Sequence, residues 1–225
     1  MRLFVVFTSY LKKHRFKTIA FCILGLLYAF CLPKVLFPTP TSTIVESKDG
    51  ELLGALIAAD GQWRFPTLDS IPPKFEQCIL QFEDEYFYSH PGFNPISMFN
   101  AFKSNLKAKR IVRGGSTITQ QVIRLSRKGK KRSYFEKLIE LILATRLEIR
   151  DSKAEILRTY VSQAPFGGNV VGLEAAAWRY FNVAPTKLSW GQSALLAVLP
   201  NAPSLLYSGK NSKILFAKRN RLLKQ

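Results

Sequence analysis

Glu83 and Glu140 are the two carboxylates of this 225-residue sequence whose surroundings suit proton-transfer or electrostatic chemistry. Glu83 stands four residues after Ile79, in a stretch where Phe75, Ile79, Phe82 and Tyr86 recur at three- and four-residue intervals. That spacing predicts a helix with Glu83 at the edge of its buried stripe. A carboxylate so placed either pairs with an arginine and holds the helix end, or it is partly desolvated, with a raised pKa, and acts as a general base or acid. Glu140 lies in YFEKLIELILATRLEI, residues 134–149. There Phe135, Leu138, Ile139, Ile142 and Ile149 form the dominant apolar face, while Leu141, Leu143 and Leu147 spread apolar surface around most of the remainder. The pattern predicts a largely buried helix that leaves only a narrow polar strip for Glu140.

Between these acids, RGGSTITQQVIRL at 113–125 opens with two glycines ahead of Ser116, a good N-cap, and continues as an amphipathic run. A helix start of this kind offers unpaired N–H groups to an anion. Thr117, Thr119, Gln120 and Gln121 add uncharged hydrogen-bonding groups with Arg113 and Arg124 on either side, which suits a phosphorylated sugar. The nucleotide-binding pattern G-x-x-x-x-G-K-[ST] is absent. Only two histidines occur, His14 and His90, and the three cysteines are isolated, which argues against a zinc site. Cys78, in an apolar helical pattern, reads as a small core residue.

The elements that must position these groups follow from composition and punctuation. Lysine and arginine number 33 against 15 acids, a net charge of +18, which predicts an anionic partner. Residues 1–17 read as a basic cytoplasmic flank and 18–37 as a transmembrane anchor, with the remainder placed outside by the positive-inside rule. Residues 38–69 read as a linker followed by short strands with Asp-Gly turns at 49–50 and 60–61. From Ser70 the signals become helical, with capping boxes at Ser152/Glu155 and Ser189/Gln192 and alanines at 175–177 that permit close packing. The segment 93–113 carries Phe99, Phe102 and Leu106 on one helical face beside Lys103, Lys107, Lys109 and Arg110, which predicts a mobile, lipid-facing segment.

Together these residues resemble the glycosyltransferase family 51 domain of class A penicillin-binding proteins, from about residue 44 to 205. The pattern EDxxFxxHxG is met by Glu83, Asp84, Phe87, His90 and Gly92, and GGSTITQQ is complete from Gly114 to Gln121. KxxE is met by Lys137 and Glu140, KxxILxxY by Lys153 to Tyr160, and APFGGN by Ala164 to Asn169. HPGFNP and LPNAPS point to the 1C branch of the family.

The resemblance implies a mainly α, lysozyme-like glycosyltransferase domain, residues 70–225, with a small N-terminal β element and an N-terminal transmembrane helix. It implies a peptidoglycan glycosyltransferase of the inner membrane that polymerises lipid II with inversion and releases undecaprenyl pyrophosphate. Glu83 would be the general base and Glu140 would assist on the leaving-group side. Ser116, Gln120, Gln121, Arg124 and Lys137 would contact the donor sugar and phosphates, and Asp84, His90, Gly114, Gly115 and Thr117 would join them. A divalent cation, Mg or Mn, near Glu140 is a cofactor in some members. The implied partners are lipid II, the growing glycan strand, the membrane and cell-wall synthesis proteins, with no nucleic acid.

The geometry expected of such an inverting site is two carboxylates facing one cleft, at a separation no smaller than the roughly 6.5–9.5 Å of inverting glycosidases. Arg124 and Lys137 should then stand nearer Glu140 than Glu83. Three positions depart from the family pattern: Glu136 where arginine is usual, Arg158 where glutamate is usual, and Ser162 where asparagine is usual. The two charge reversals would compensate if Glu136 and Arg158 met. The family's transpeptidase domain has no counterpart here, and the chain reads as truncated relative to it. Ser104 to Lys107 spells S-x-x-K without its companion motifs, a chance match. A catalytically weakened lipid II-binding scaffold and a lysozyme-like hydrolase remain as alternatives.

Overall fold

The computed structural model describes residues 14–110, 114–128, 130, 133–201 and 212–225. Most of the basic flank, Arg113, and residues 202–204 of LPNAPS lie outside the described residues. The chain divides into two compact units, Met1–Leu36 and Phe37–Gln225.

The first unit contains helix α1, Arg15–Ala29, none of whose residues is buried. Its end has a steric cause: the ring of Pro33 would meet the carbonyl of Ala29, four residues back. The span expected over 18–37 is therefore helical only through Ala29, and among the described residues no helix is long and apolar enough to cross a membrane.

The second unit begins with a hairpin of β1, Thr43–Glu46, and β2, Leu52–Leu56, paired antiparallel around a turn in which Gly50 takes φ +73°. Strand β3, Trp63–Arg64, leaves that hairpin and pairs in parallel with a strand a hundred residues on. The residues just ahead of β1, within the 38–69 linker and strand region, are held by hydrogen bonds to β3. Ser42 donates its N–H to the Arg64 carbonyl, and the buried Arg64 guanidinium donates to the Pro40 carbonyl at 2.6 Å and to Asp60 at 3.0 Å.

Helix α2 runs Pro73–Glu83, starting three residues after Ser70 because proline suits the first helical position. Phe75, Cys78 and Ile79 are buried, whereas Tyr86 lies beyond the helix end and is exposed. Helix α3, Pro95–Ala108, is capped by the Asn94 side chain accepting from the Ser97 N–H, and Ala101 is its buried residue. Ile96, Phe99, Phe102 and Leu106 are all exposed. Helices α4, Ile118–Ser126, α5, Tyr134–Arg150, and α6, Lys153–Gln163, pack on one another.

Strands β4, Pro165–Gly167, and β5, Val170–Val171, make the APFGGN segment a hairpin, and β5 receives β3 on its other side. Helix α7, Leu173–Phe181, buries Ala175, Ala176 and Ala177, as their small size permits. Helix α8, Trp190–Val198, packs on α2 and on α9, Ser212–Leu222. Both expected capping boxes are present, at Ser152/Glu155 and Ser189/Gln192.

The burial of α5 inverts the expectation. Its core face is Glu140, Leu143, Ala144 and Leu147, while Phe135, Leu138, Ile142 and Ile149 are exposed. Periodicity alone favours the stripe with the larger side chains. Close approach of neighbouring backbone favours the smaller one: a Cβ on Gly92, which has φ +90°, would lie 2.8 Å from the Ala144 carbonyl oxygen.

Candidate functional site

The ends of α2 and the start of α4 enclose a cleft of about 410 Å³ lined by Glu83, Asp84, Ser97, residues 114–117, Gln121, Arg124 and Asn201. Helix α4 carries the two residues that organise it. Gln121 donates Nε2–H to Glu83 Oε2 at 2.7 Å, and one turn later Arg124 grips Glu140 with Nε at 2.9 Å and Nη2 at 3.0 Å. The two acids are therefore tied to neighbouring turns of one helix.

Glu83 is the last residue of α2, and its Oε1 is buried without a hydrogen-bond partner. Burial pushes its pKa up, and the adjacent Asp84 charge adds to this; Gln121, Asn201 and Lys218 pull the other way and are outweighed. Burial also works to raise Glu140, but the hydrogen bond and charge of Arg124, with Lys137 behind them, hold it below the ordinary carboxylate value. The environments thus push the two acids in opposite directions, Glu83 up and Glu140 down, the kind of separation that lets two carboxyl groups take different roles.

Glu140 differs from expectation in its exposure. It is only 4% exposed and stands behind Arg124 rather than in the cleft wall. Arg124 and Lys137 do stand at Glu140, as the leaving-group reading requires. Lys137 Nζ reaches Glu140 Oε2 at 3.3 Å, Gln120 Oε1 at 2.7 Å and Ser116 Oγ at 2.8 Å, while Arg124 Nη2 donates to the same Ser116 oxygen at 3.0 Å. Two cations against one carboxylate leave a net positive charge beside the cleft. With Ser116 Oγ accepting from both, its own O–H is left to donate elsewhere.

Several residues expected to touch a substrate make internal hydrogen bonds that fasten the site. Gln120 is fully buried and holds Lys137 from below. The helix N-cap is Thr117, one residue later than expected; its hydroxyl accepts from the Gln120 N–H and donates to the Gly92 carbonyl at 2.7 Å. The first N–H of α4, on Ile118, donates to Asp84 Oδ2 at 2.9 Å, so the anion at this helix start is Asp84 itself. His90 Nδ1 accepts from the Gly92 N–H, which leaves Nε2 as the protonated nitrogen donating to Asp84 at 3.0 Å.

The glycines divide similarly. A Cβ on Gly115 would lie 2.9 Å from Met98 Cα and 3.1 Å from Ala101 Cβ, so this glycine lets α3 pack close; Gly114 faces open space. The charge reversals do not meet. Glu136 accepts from Arg127 Nε at 2.5 Å, and Arg158 donates to the Asp69 carbonyl at 3.3 Å.

A divalent ion at Glu140 does not fit this donor set. Both carboxylate oxygens already accept from cationic side chains, and among the described residues no three His, Cys, Asp or Glu side chains converge to hold a metal. Inference from sequence also missed three groups: Tyr160, which donates to Gln121; Asn201, beside Glu83; and the Glu148–Lys153 pair, which fastens Thr119 and the His90 carbonyl. Tyr160, Lys153 and Asn201 sit in recognised motifs without an assigned role, whereas Glu148 belongs to none of them.

Comparison with known proteins identifies the family. The transglycosylase family model matches residues 49–225. The chain is 38% identical to penicillin-binding protein 1C of Escherichia coli over 194 residues, 86% of this chain and 25% of that protein. It is 34% identical to penicillin-binding protein 4 of Bacillus subtilis over 177 residues, 79% of this chain and 28% of that protein. It is 32% identical to the biosynthetic peptidoglycan transglycosylase of Haemophilus influenzae over 212 residues, 90% of this chain and 86% of that protein. The chain thus spans about a quarter of the length of the two penicillin-binding proteins and most of the length of the third. With its helical domain matched from the first hairpin turn to the last residue, the chain belongs to the transglycosylase family.

Proposed function

We propose that the chain is a peptidoglycan glycosyltransferase that polymerises lipid II into glycan strands and releases undecaprenyl pyrophosphate. The observation that carries this reading is the attachment of Glu83 and of the Arg124–Lys137–Glu140 cluster to α4 beside one cleft. In the proposed reaction the Glu83 carboxylate takes the proton of the acceptor sugar's 4-hydroxyl. That oxygen attacks C1 of the donor sugar, the C1–O bond to the pyrophosphate breaks, and the electron pair leaves with the phosphate, so the anomeric centre inverts. Arg124, Lys137 and the Ser116 hydroxyl meet the developing negative charge in a partly buried site, where charge-assisted hydrogen bonds are strong. Glu140 keeps the two cations in place, and no step passes through a metal.

The fastening groups prepare this geometry. Asp84 and His90 set the start of α4 against the end of α2, which holds Glu83 and Gln121 within hydrogen-bonding distance. The substrate's lipid tail accounts for the apolar surfaces. Residues 18–37 anchor the chain in the inner membrane with the domain on its outer side. The exposed Ile96, Phe99, Phe102 and Leu106 of α3 rest in the interface, beside the exposed Lys103, Lys107, Lys109 and Arg110. Cell-wall synthesis proteins are the expected partners.

Purified full-length chain incubated with lipid II in detergent micelles tests the reading. Glycan strands and free undecaprenyl pyrophosphate are expected. Binding of lipid II without extension would favour the scaffold alternative, and release of fragments from preformed glycan would favour a hydrolase.

A further inference from the structure

Tyr160 lies on α6 with 1% of its surface exposed, and its hydroxyl donates to Gln121 Oε1 at 3.3 Å. Gln121 passes the contact on, its Nε2–H donating to Glu83 Oε2 at 2.7 Å. A primary amide has one accepting end and one donating end, so fixing the first fixes the second. If the Gln121 amide turned over, its oxygen would face the Glu83 carboxylate. Its nitrogen would then face the phenol oxygen, and the phenol proton would be left buried without an acceptor, a costly arrangement. Tyr160 therefore biases the amide toward the orientation that donates to Glu83.

We propose that Tyr160 is a positioning residue that holds the Gln121 amide with its N–H toward Glu83 and so favours the ionised, proton-accepting form of that carboxylate. The inference rests on the reading of Glu83 as the base. Burial and the Glu83 charge keep the phenol protonated, its pKa well above the ordinary value, so that it remains a donor. The same burial raises Glu83, and Gln121 is the foremost of the groups opposing it. The other groups facing Glu83 are Asp84 at the end of α2, Asn201 after α8 and Lys218 on α9; Arg124 on α4 faces Tyr160. Removing the phenol oxygen deletes no group that Asp84, Asn201 or Lys218 uses toward Glu83. A chain of two bonds also polarises its middle member, which strengthens the second donor.

The test is a carboxyl titration of the full-length chain carrying ¹³C-labelled glutamate, with the Glu83 signal assigned by its loss in Glu83→Gln. In Tyr160→Phe the Glu83 midpoint should rise by roughly half a pH unit. Gln121→Met should raise it at least as far, and the double variant no further than Gln121→Met alone. An unchanged midpoint in folded Tyr160→Phe, or a double variant exceeding Gln121→Met, overturns the proposal. If Tyr160→Phe does not fold, an unchanged midpoint in Gln121→Met overturns it equally. The acidic limb of the kcat/KM profile separates the two claims. A limb that moves with the carboxyl supports both, and a limb that stays while the carboxyl moves leaves Tyr160 in its role and removes Glu83 as the base.

Discussion

Arg127 and Glu136 form an ion pair, Nε to Oε1 at 2.5 Å, that joins the residue capping α4 to the first turn of α5. These helices carry Arg124 on one side and Lys137 with Glu140 on the other, so the pair closes the same helix–helix seam as the Arg124–Lys137–Glu140 cluster. Glu136, which would compensate Arg158 if the two met, instead finds its partner locally in Arg127. Reversing one charge by Arg127→Glu should lower the melting temperature by roughly 2–4 °C at low salt. The exchange Arg127→Glu with Glu136→Arg should restore most of it. Thermal unfolding followed by circular dichroism in 20 mM and 500 mM salt decides this, because a screened pair loses its effect at the higher concentration.

Glu83→Gln should reduce polymerisation by roughly 10²–10⁴-fold, the range attributed to general base catalysis, because it keeps the side chain's shape and removes the proton acceptor. Its melting temperature should stay near that of the parent, since the amide oxygen can still accept from Gln121. Single-turnover rates with lipid II measure the first quantity, and near-normal turnover would remove Glu83 from the mechanism.

Glu140→Gln should cost less activity than Glu83→Gln, since its proposed work is to hold two cations that remain in place. Arg124→Ala should be worse than Glu140→Gln in stability, by about 2 kcal/mol, because it leaves a buried carboxylate with Lys137 alone. Urea titrations of the two variants give the comparison, and equal midpoints would contradict it.

The stability of this seam should depend on pH in one direction. Arg127 holds Glu136 below its ordinary value, and Arg124 with Lys137 does the same for Glu140 against the opposing effect of burial. A carboxylate depressed in the folded state stabilises it above the unfolded pKa, and that contribution disappears as pH falls through the folded value. The chain should therefore lose stability below about pH 4.5, and Glu140→Gln should flatten the slope there. Equal slopes in parent and variant would exclude Glu140 as a source.

Gly115→Ala should destabilise by about 1–3 kcal/mol, because the new methyl group would press on the α3 backbone at Met98. Gly114→Ala should be nearly neutral, having nothing within 4 Å. Melting temperatures of the pair check the difference, and similar losses at both positions would mean that backbone freedom, not close packing, explains the two glycines.

Much was legible in the sequence where the deciding interaction is local. Helix starts at Ser152 and Ser189 follow from capping residues three positions apart, and the Gly50 turn from its Asp-Gly pair. The burial of Phe75 and Ile79 follows from helical spacing. Glu83 could be singled out because its own helix places it at the edge of the buried stripe. Each of these depends on residues within about one or two helical turns, whose geometry the backbone itself sets.

Tertiary structure decided what depends on residues far apart in the chain. Which face of α5 turns inward was settled by the Gly92 approach to Ala144 and by cations that make burial of Glu140 tolerable. The anion at the start of α4 proved to be Asp84, 34 residues earlier, and the buried Gln120 became a support for Lys137. Strand β3 found its neighbour at Val170 and Val171, which no periodicity near Trp63 could announce. A buried polar group needs a partner in space, and spacing along the chain carries no record of which partner the fold will bring to it.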